Sequence, residues 1–325
     1  MTHMRIQLFG TFRIWHHSQV LEGLTSQRAQ ELLSYILLYR DRPHHREMLA
    51  GKLWGECSTQ QTQKWLRQAL WQIHTALNAI TNTPLLICNQ DTIQLNPDAH
   101  IHLDVASLET TLRDIRQTKV VHFDLTTVQA LQTAISCYQG DLLEGWYHDW
   151  CVYERERLQQ IYLVLLDKLV EYCLIHQEYA KGIEYGNRIL WYDYARECTH
   201  QSLMLLHYLS GHRVTALRQY QRCVESLENE FGVEPAPETR ALYKQIQTAS
   251  LSNPIVSPLS TQNFHNCTTT TFSAMLLQFN HLEKTLVEMQ QQVRQAIQIA
   301  KNALNDKKSH PDSSFTSHHP QQNIN

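Results

Sequence analysis

Amphipathic helical periodicity fills the chain from about residue 104 to residue 248, with almost no strand signal in between. Apolar residues recur about one helical turn apart in seven successive stretches: 104–117, 125–138, 150–176, 179–191, 195–210, 213–231 and 236–248. Successive amphipathic helices bury their apolar faces against each other, as in helical-repeat solenoids, although this chain has no fixed sequence period. The pattern therefore predicts a helical-repeat domain over residues 101–249.

The first 100 residues have a different pattern, in which strands, three helices and a hairpin follow one another. The predicted elements are a strand over 5–15, a second strand after HHSQ, a helix capped by Ser26, a helix from about His45 to Trp54, a third helix over 58–78, and a hairpin in LLICNQDTIQL. Alternating apolar residues support the strands, and helical spacing supports the helices. This order is typical of a winged helix-turn-helix, so a winged-helix domain is predicted over residues 1–100.

The third predicted helix, STQQTQKWLRQALWQIHTALN at 58–78, contains no Asp or Glu. Its predicted core face consists of Leu66, Ala69, Leu70, Ile73, Ala76 and Leu77. The opposite face consists of Gln60, Gln61, Lys64, Gln68, Trp71, Gln72 and Thr75, with Arg67 and His74 at its edge. A solvated helix face normally carries carboxylates as well as cations. Amides can pair with adenine edges and cations with guanine or phosphate, so this face suits the DNA major groove. A solvated or protein-facing surface is the alternative.

Overall charge and cysteine usage limit the class of protein. The formal net charge of -3 gives no global basic field, so nucleic-acid binding requires a local patch. The eight cysteines are far apart and include no CxxC pair, which is typical of reduced thiols in a cytosolic protein. The chain has neither an apolar signal core near its start nor a run of about 18 apolar residues. We therefore expect a cytoplasmic protein with no membrane partner, and DNA contact by the third helix would make it nucleoid-associated.

No pattern of catalytic or ligand-binding residues indicates an enzyme. The chain has no GxxxxGK[ST] motif and only 10 glycines, which argues against an ATPase module. The 19 histidines do not fall into metal-ligand spacing, so no metal site is predicted. YERER at 153–157 is interpreted as an exposed, salt-bridged helix face. The prediction is therefore a protein without catalytic activity and without a cofactor.

The C-terminal part divides into a linker at 250–271, a heptad segment at 272–305 and a disordered tail at 306–325. Serine, threonine, asparagine and proline dominate the linker. Apolar residues of the heptad segment follow alternating steps of four and three, which predicts a coiled-coil helix and a homodimer. The predicted oligomerisation residues are Phe279, Leu282, Leu286, Met289 and Val293. A helix folded back onto the repeats is the alternative.

Several separated motifs resemble one family of bacterial regulators. SQRAQELLSYILLYRDRPHHREMLAGKLWGE, followed by KWLRQALWQIHTAL, resembles the winged-helix domain of regulators related to the Streptomyces antibiotic regulatory proteins. Three further motifs resemble the bacterial transcriptional activator domain of those regulators: LDVASLETTL at 103–112, YQGDLLEGWYHDWCVYERERL at 138–158, and ALRQYQRCVESLENEFGVEPAPETRALYKQI at 216–246. The resemblance covers about residues 4 to 248, in the domain order of the family.

The resemblance implies roles for particular residues. The third helix is expected in the major groove, the hairpin in the minor groove as the wing, and the second region as a tetratricopeptide-like domain. The residues implied to face double-stranded DNA from the third helix are Lys64, Arg67, Gln68, Trp71, Gln72 and Thr75. Arg46 is implied to meet phosphate, and Asn89, Gln90 and Thr92 belong to the wing tip. The turn at 55–59 is expected to lie where related proteins can touch RNA polymerase.

The chain also departs from the family pattern. Relatives usually carry arginine at the positions held here by Gln27, Gln63, Gln72, His74 and Thr75. Each missing phosphate contact is expected to weaken DNA binding and to reduce its salt dependence. Two functions therefore stay open. One is a DNA-binding transcriptional regulator, an activator, whose helical repeats receive a partner or signal. The other is a protein-interaction scaffold whose winged helix has lost DNA binding.

Overall fold

The structure, a computed structural model, describes residues 4–17, 19–21, 23–55, 57–78 and 83–249. The predicted linker at 250–271, coiled coil at 272–305 and tail at 306–325 lie outside the described residues. The five predicted oligomerisation residues therefore stay predictions: Phe279, Leu282, Leu286, Met289 and Val293.

A small sheet opens the fold, built from β1 (Met4–Gln7), β2 (Arg13–His16) and β3 (Gln19–Val20). The prediction of one strand over 5–15 was wrong, because β1 and β2 are separate antiparallel strands that pair Ile6 with Ile14. Gly10 lies between them with φ 77°, a left-handed conformation that glycine adopts without strain. The apolar alternation continues across this break, so periodicity alone did not reveal it.

Three helices and a second sheet follow. Their bounds are α1 (Gln27–Leu38), β4 (His44–His45), α2 (Arg46–Trp54), α3 (Thr59–Asn78), β5 (Leu86–Cys88) and β6 (Thr92–Leu95). Ser26 occupies the N-cap position of α1, but its side chain makes no capping hydrogen bond. The sheet order is β4-β6-β5, and all of its pairs are antiparallel. The three helices and the β5–β6 hairpin match the predicted winged helix-turn-helix.

Strand β7 (Ile101–Leu103) lies between the three-helix part of the chain (4–100, the first region) and the helical part (104–249, the second region). It pairs in parallel with β1 of the first sheet. The sheet order is therefore β3-β2-β1-β7. Directly after β7, the buried carboxylate of Asp104 accepts backbone hydrogen bonds from Leu8 and Phe9, both at 2.8 Å, and from Val105 at 2.7 Å. The LDVASL motif thus connects the two regions through both a strand and a side chain.

Helices form the rest of the described chain. Their bounds are α4 (Asp104–Ile115), α5 (Leu125–Cys137), α6 (Asp149–Ile175), α7 (Tyr179–Tyr192), α8 (Glu197–Leu209), α9 (Arg213–Phe231) and α10 (Pro237–Thr248), with a short 3-10 turn at Val120–His122. These bounds agree with the seven predicted helical stretches to within about two residues. From α6 onward each helix packs against the next, as in a helical repeat. Gly232 ends α9 in the left-handed conformation.

The loop before α6 packs against the N-terminal sheet. The Leu143 N–H donates to Leu8 O at 2.8 Å, and the Gly10 N–H donates to Asp141 O at 2.7 Å. The backbone of the segment between β1 and β2 therefore finds its hydrogen-bond partners in this loop. The YQGDLLEG part of the second motif is therefore a docking segment for the first region.

The YERER segment is partly buried, so its interpretation as an exposed helix face was wrong. Glu154 is only 3% exposed and accepts from Arg157 Nε at 2.7 Å. Arg157 also pairs with Glu109 of α4, and the other carboxylate oxygen of Glu109 pairs with Arg40, directly after α1. Four charged side chains thus form one network between the two regions. Local charge alternation could not reveal this, because Arg40 and Glu109 are distant in sequence.

The predicted fold class is confirmed for the described residues: mainly α with a small β component, with a winged helix-turn-helix followed by helical repeats. The described residues form one compact unit. None of the helices described here is both long and apolar enough to cross a membrane. The domain boundaries near residues 100 and 249 stay predictions.

Candidate nucleic-acid interface

Helix α3 has the predicted apolar face. The residues buried along it are Leu66, Ala69, Leu70, Ile73 and Leu77, and Ala76 is half-buried. They pack against α1 and α2 in the core of the first region. This packing fixes the rotation of α3 about its own axis, and so determines which side chains it presents outward.

The opposite face of α3 is exposed. Its exposed residues are Gln60, Gln61, Lys64, Arg67, Gln68, Trp71 and Thr75, while Gln72 and His74 are half-buried. Trp71 is 66% exposed, an unusual state for so large an apolar side chain. Among the described residues, no Asp or Glu forms an ion pair with Lys64 or Arg67. The face therefore presents amides, two cations and an indole ring to the surroundings, with both cations available to an anionic partner.

The start of α2 is attached to the β5–β6 turn. Arg46 Nε donates to Asn89 O at 3.1 Å, and the Arg46 N–H donates to Asp91 O at 3.0 Å. Within the turn, the Asn89 N–H donates to Thr92 O at 2.9 Å. Strand β4 extends the same attachment, because His44 and His45 pair with β6. The structure therefore brings the predicted phosphate contact Arg46 together with the predicted wing tip of Asn89, Gln90 and Thr92.

A contact between α3 and the wing was not predicted from the sequence. His74 Nε2 lies 3.6 Å from Cys88 Sγ on β5, within hydrogen-bonding distance for sulfur. Burial raises the pKa of the Cys88 thiol, which keeps it protonated at neutral pH. This pair links the last part of α3 to the wing. Neither residue has a local sequence signal that could have revealed it, because the two are brought together only by the hairpin.

A second unpredicted group lies at the other flank of α3. The guanidinium carbon of Arg28, in the first turn of α1, is 3.9 Å from the centroid of the Trp65 ring. Trp65 also makes an edge contact with Trp54 of α2, with ring centroids 6.3 Å apart. Trp54 Nε1 in turn donates to the buried carboxylate of Glu31 at 2.8 Å. Aromatic packing therefore supports this flank of α3 from within the core.

Glu31 also receives a contact from the second region. His148, just before α6, has its Nε2 3.1 Å from Glu31 Oε1, while Trp54 occupies Oε2. The His148 ring stacks on that of Trp150, which makes an edge contact with Tyr35 of α1. The helical region is thus in direct contact with the residues that support α3.

These features define a class of fold: a winged helix-turn-helix with an exposed, acid-free third helix, joined to a helical-repeat region. The solved structure "Mycobacterium tuberculosis EmbR in complex with low affinity phosphopeptide" has a similar fold. The TM-score is 0.63 at 15% sequence identity, covering 85% of this chain and 71% of that chain.

Residues 103–247 match the family model of the bacterial transcriptional activator domain. The chain is 24% identical over 274 residues to "Regulatory protein AfsR" of Streptomyces coelicolor (strain ATCC BAA-471 / A3(2) / M145), covering 84% of this chain and 27% of that protein. It is also 24% identical over 264 residues to "Regulatory protein AfsR" of Streptomyces griseus, covering 78% and 26%. The chain thus spans about a quarter of the length of these relatives. The comparisons confirm the predicted resemblance to regulators related to the Streptomyces antibiotic regulatory proteins.

Proposed function

We propose that the protein is a DNA-binding transcriptional regulator, an activator, that inserts α3 into the major groove and lays the β5–β6 wing along the minor groove. The observation that carries this proposal is the exposed outer face of α3. It contains Lys64 and Arg67 without ion-pair partners among the described residues, and it has no carboxylate of its own. Cations next to amides can bind phosphate and read base edges.

Each predicted contact has a role within this proposal. Gln68 and Gln72 suit adenine edges, and Lys64 and Arg67 suit guanine or phosphate. Trp71 and Thr75 are suited to apolar contact with thymine methyl groups. Arg46 keeps its terminal guanidinium nitrogens for phosphate, since the contact described for its side chain uses Nε. Gln90 and its neighbours in the wing complete the interface.

Partner reception belongs to the helical repeats in this proposal. They expose large aromatic side chains, including Trp191 at 84% and Phe231 at 61%. Exposed aromatic residues are enriched at protein interfaces. The exposed turn after α2, which includes Cys57 and Ser58, is the proposed contact with RNA polymerase. Homodimerisation through 272–305 and a nucleoid location in the cytoplasm complete the proposal.

A protein-interaction scaffold is the second candidate function. The aromatic residues on the repeats favour it, and so does the exposed carboxylate of Asp91 in the wing turn, which repels phosphate. In this alternative the repeats carry the function and the winged helix is a structural support. The two candidates differ in whether α3 binds DNA.

Fluorescence anisotropy separates the two candidates. The purified chain is titrated onto duplex DNA from its own upstream region across a salt series, together with Lys64→Ala and Arg67→Ala. Each substitution is expected to weaken binding. If the residue meets one phosphate, the substitution should also make the negative slope of log K against log salt shallower by about 0.9. Arg218→Ala, which removes an exposed arginine on α9, is the matched control and should leave both quantities unchanged. Absence of binding at low salt, or binding indifferent to both substitutions, would favour the scaffold.

A further inference from the structure

Arg28 is the residue from which a new contact can be inferred. It lies in the first turn of α1, it is exposed, and that turn contains no acidic residue. Its guanidinium carbon is 3.9 Å from the Trp65 ring centroid, a distance that allows a cation–π contact. An arginine held against an indole ring loses less side-chain freedom when it binds a ligand than one that extends freely into solvent.

The carboxylate that could most easily neutralise Arg28 is engaged elsewhere. Glu31 lies three residues further along α1, at the spacing of a helical ion pair. Its side chain instead points into the core, where its two oxygens contact Trp54 Nε1 and His148 Nε2. No Asp or Glu in the described part of the chain forms an ion pair with Arg28. The charge of Arg28 is therefore available to an anion.

The position of Arg28 beside α3 indicates which anion. On a helix of 100° per residue, Trp65 lies 100° from Lys64, on the flank of the outward face. When a helix lies in the major groove, base edges meet its outward face, and the phosphates of the groove walls meet its flanks. A cation held at the flank is therefore placed nearer to the phosphates than to the base edges.

We propose that Arg28 is a DNA phosphate contact, and that Trp65 is the residue that positions it. The proposal rests on the proposed function, because it requires α3 to bind duplex DNA. Trp65 is itself supported by Trp54, with their rings nearly perpendicular at 88°. The contact adds a cation beside α3, where the family's additional arginines are replaced by glutamine, histidine and threonine.

The test uses the full chain and the upstream duplex, with anisotropy measured across a salt series. Arg28→Ala is expected to weaken binding about tenfold at low salt, the effect of one charge-assisted hydrogen bond. It should also reduce the magnitude of the salt slope by about 0.9. Arg28→Lys keeps the charge but loses the planar contact, so the slope should be retained while affinity falls severalfold. Arg218→Ala is again the control, and the circular dichroism spectrum of each variant checks folding.

Trp65→Leu tests the positioning role. Alone, it should lower affinity and leave the salt slope unchanged, because Arg28 keeps its charge. In the Arg28→Ala background, Trp65→Leu should lower the affinity little further. A general loss of structure would instead lower the affinity in both backgrounds.

The possible outcomes separate the inference from the proposed function. If the wild-type chain does not bind the duplex, both fail. If it binds and Lys64→Ala weakens it, but Arg28→Ala changes neither affinity nor slope, the inference alone is overturned. If Trp65→Leu weakens binding equally with and without Arg28, the positioning role is overturned.

Discussion

The surroundings of Asp104 act on its ionisation in two opposing ways. Burial disfavours its charged form, while the N–H groups of Leu8, Phe9 and Val105 favour it. Burial has the larger effect and raises the pKa of Asp104 to about 6. The folded protein therefore binds a proton at this site more tightly than the unfolded chain does.

The first prediction concerns the pH dependence that follows. Because the pKa is higher in the folded state, the stabilisation from Asp104 is greatest below about pH 4 and is lost as the pH rises through about 6. The loss is about 3 kcal/mol in the free energy of unfolding. Asn at this position cannot titrate, so the stability advantage of the wild type over Asp104→Asn should shrink between pH 4 and pH 7. Urea unfolding of both proteins measures it. An advantage that grows with pH would mean that the three hydrogen bonds outweigh burial.

At the interface, the sequence revealed the outward residues of α3 but not their neighbours. Lys64 and Gln68 were predictable, because the helical period alone determines which side of α3 they occupy. The contact of Arg28 with Trp65 was not, because it requires the packing of α1 against α3. Glu31 was equally hidden, since both partners of its buried carboxylate come from other elements.

At the scale of elements, two glycines allow α7 to pack closely against its neighbours. A Cβ added at Gly186 would lie 2.7 Å from Leu203 Cδ2 and 3.0 Å from Leu203 Cγ on α8. A Cβ at Gly182 would lie 3.0 Å from the Cβ of Cys173 on α6. The spacing of four residues puts both glycines on one face of the helix. This face allows α6, α7 and α8 to approach each other.

The second prediction compares two Gly→Ala substitutions within helices. Gly186→Ala should lower the free energy of unfolding by about 1 to 3 kcal/mol, because the new methyl group overpacks against Leu203. Gly51→Ala, in α2, meets no atom within 4 Å and should raise stability by about 1 kcal/mol through helix propensity. Thermal and urea unfolding give both values. Equal effects at the two positions would mean that the packing of α7 is looser than described.

Some elements are determined by their own sequence, and others by partners that are distant in the chain. The helices of the second region were predictable, because the amphipathic period belongs to each helix separately. Strands β4 and β7 have only two and three residues, and both exist because of partners distant in sequence. The break at Gly10 was likewise missed, since the hydrogen-bond partners of its backbone N–H and C=O lie in the loop before α6. Prediction failed where the cause of an element lies in another part of the chain.

At the scale of the whole molecule, the charged network between the two regions is partly buried. Arg157 pairs with both Glu154 and Glu109, and Glu109 pairs with Arg40. Removing one member of such a network leaves an uncompensated buried charge, which costs more than the pair itself contributes. Arg157 is the member whose loss would leave two carboxylates with fewer partners.

The third prediction is that Arg157→Ala lowers the free energy of unfolding by about 3 kcal/mol, chiefly because Glu154 stays buried without its cation. Lys181→Ala removes a lysine from an exposed pair with Glu178 and should change stability little. Calorimetry of both variants gives the comparison. A similar, small effect in both would show that the network contributes no more than a surface ion pair.

The parallel pairing of β7 with β1 has a consequence for any attempt to isolate the winged helix. A fragment cut at residue 100 would lose β7 and Asp104, so β1 would become an open edge and the N–H groups of Leu8 and Phe9 would lose their acceptor. Open strand edges recruit other chains, and such a fragment should aggregate. For the same reason, recombination during evolution can transfer this winged helix intact only if the crossover falls beyond Asp104.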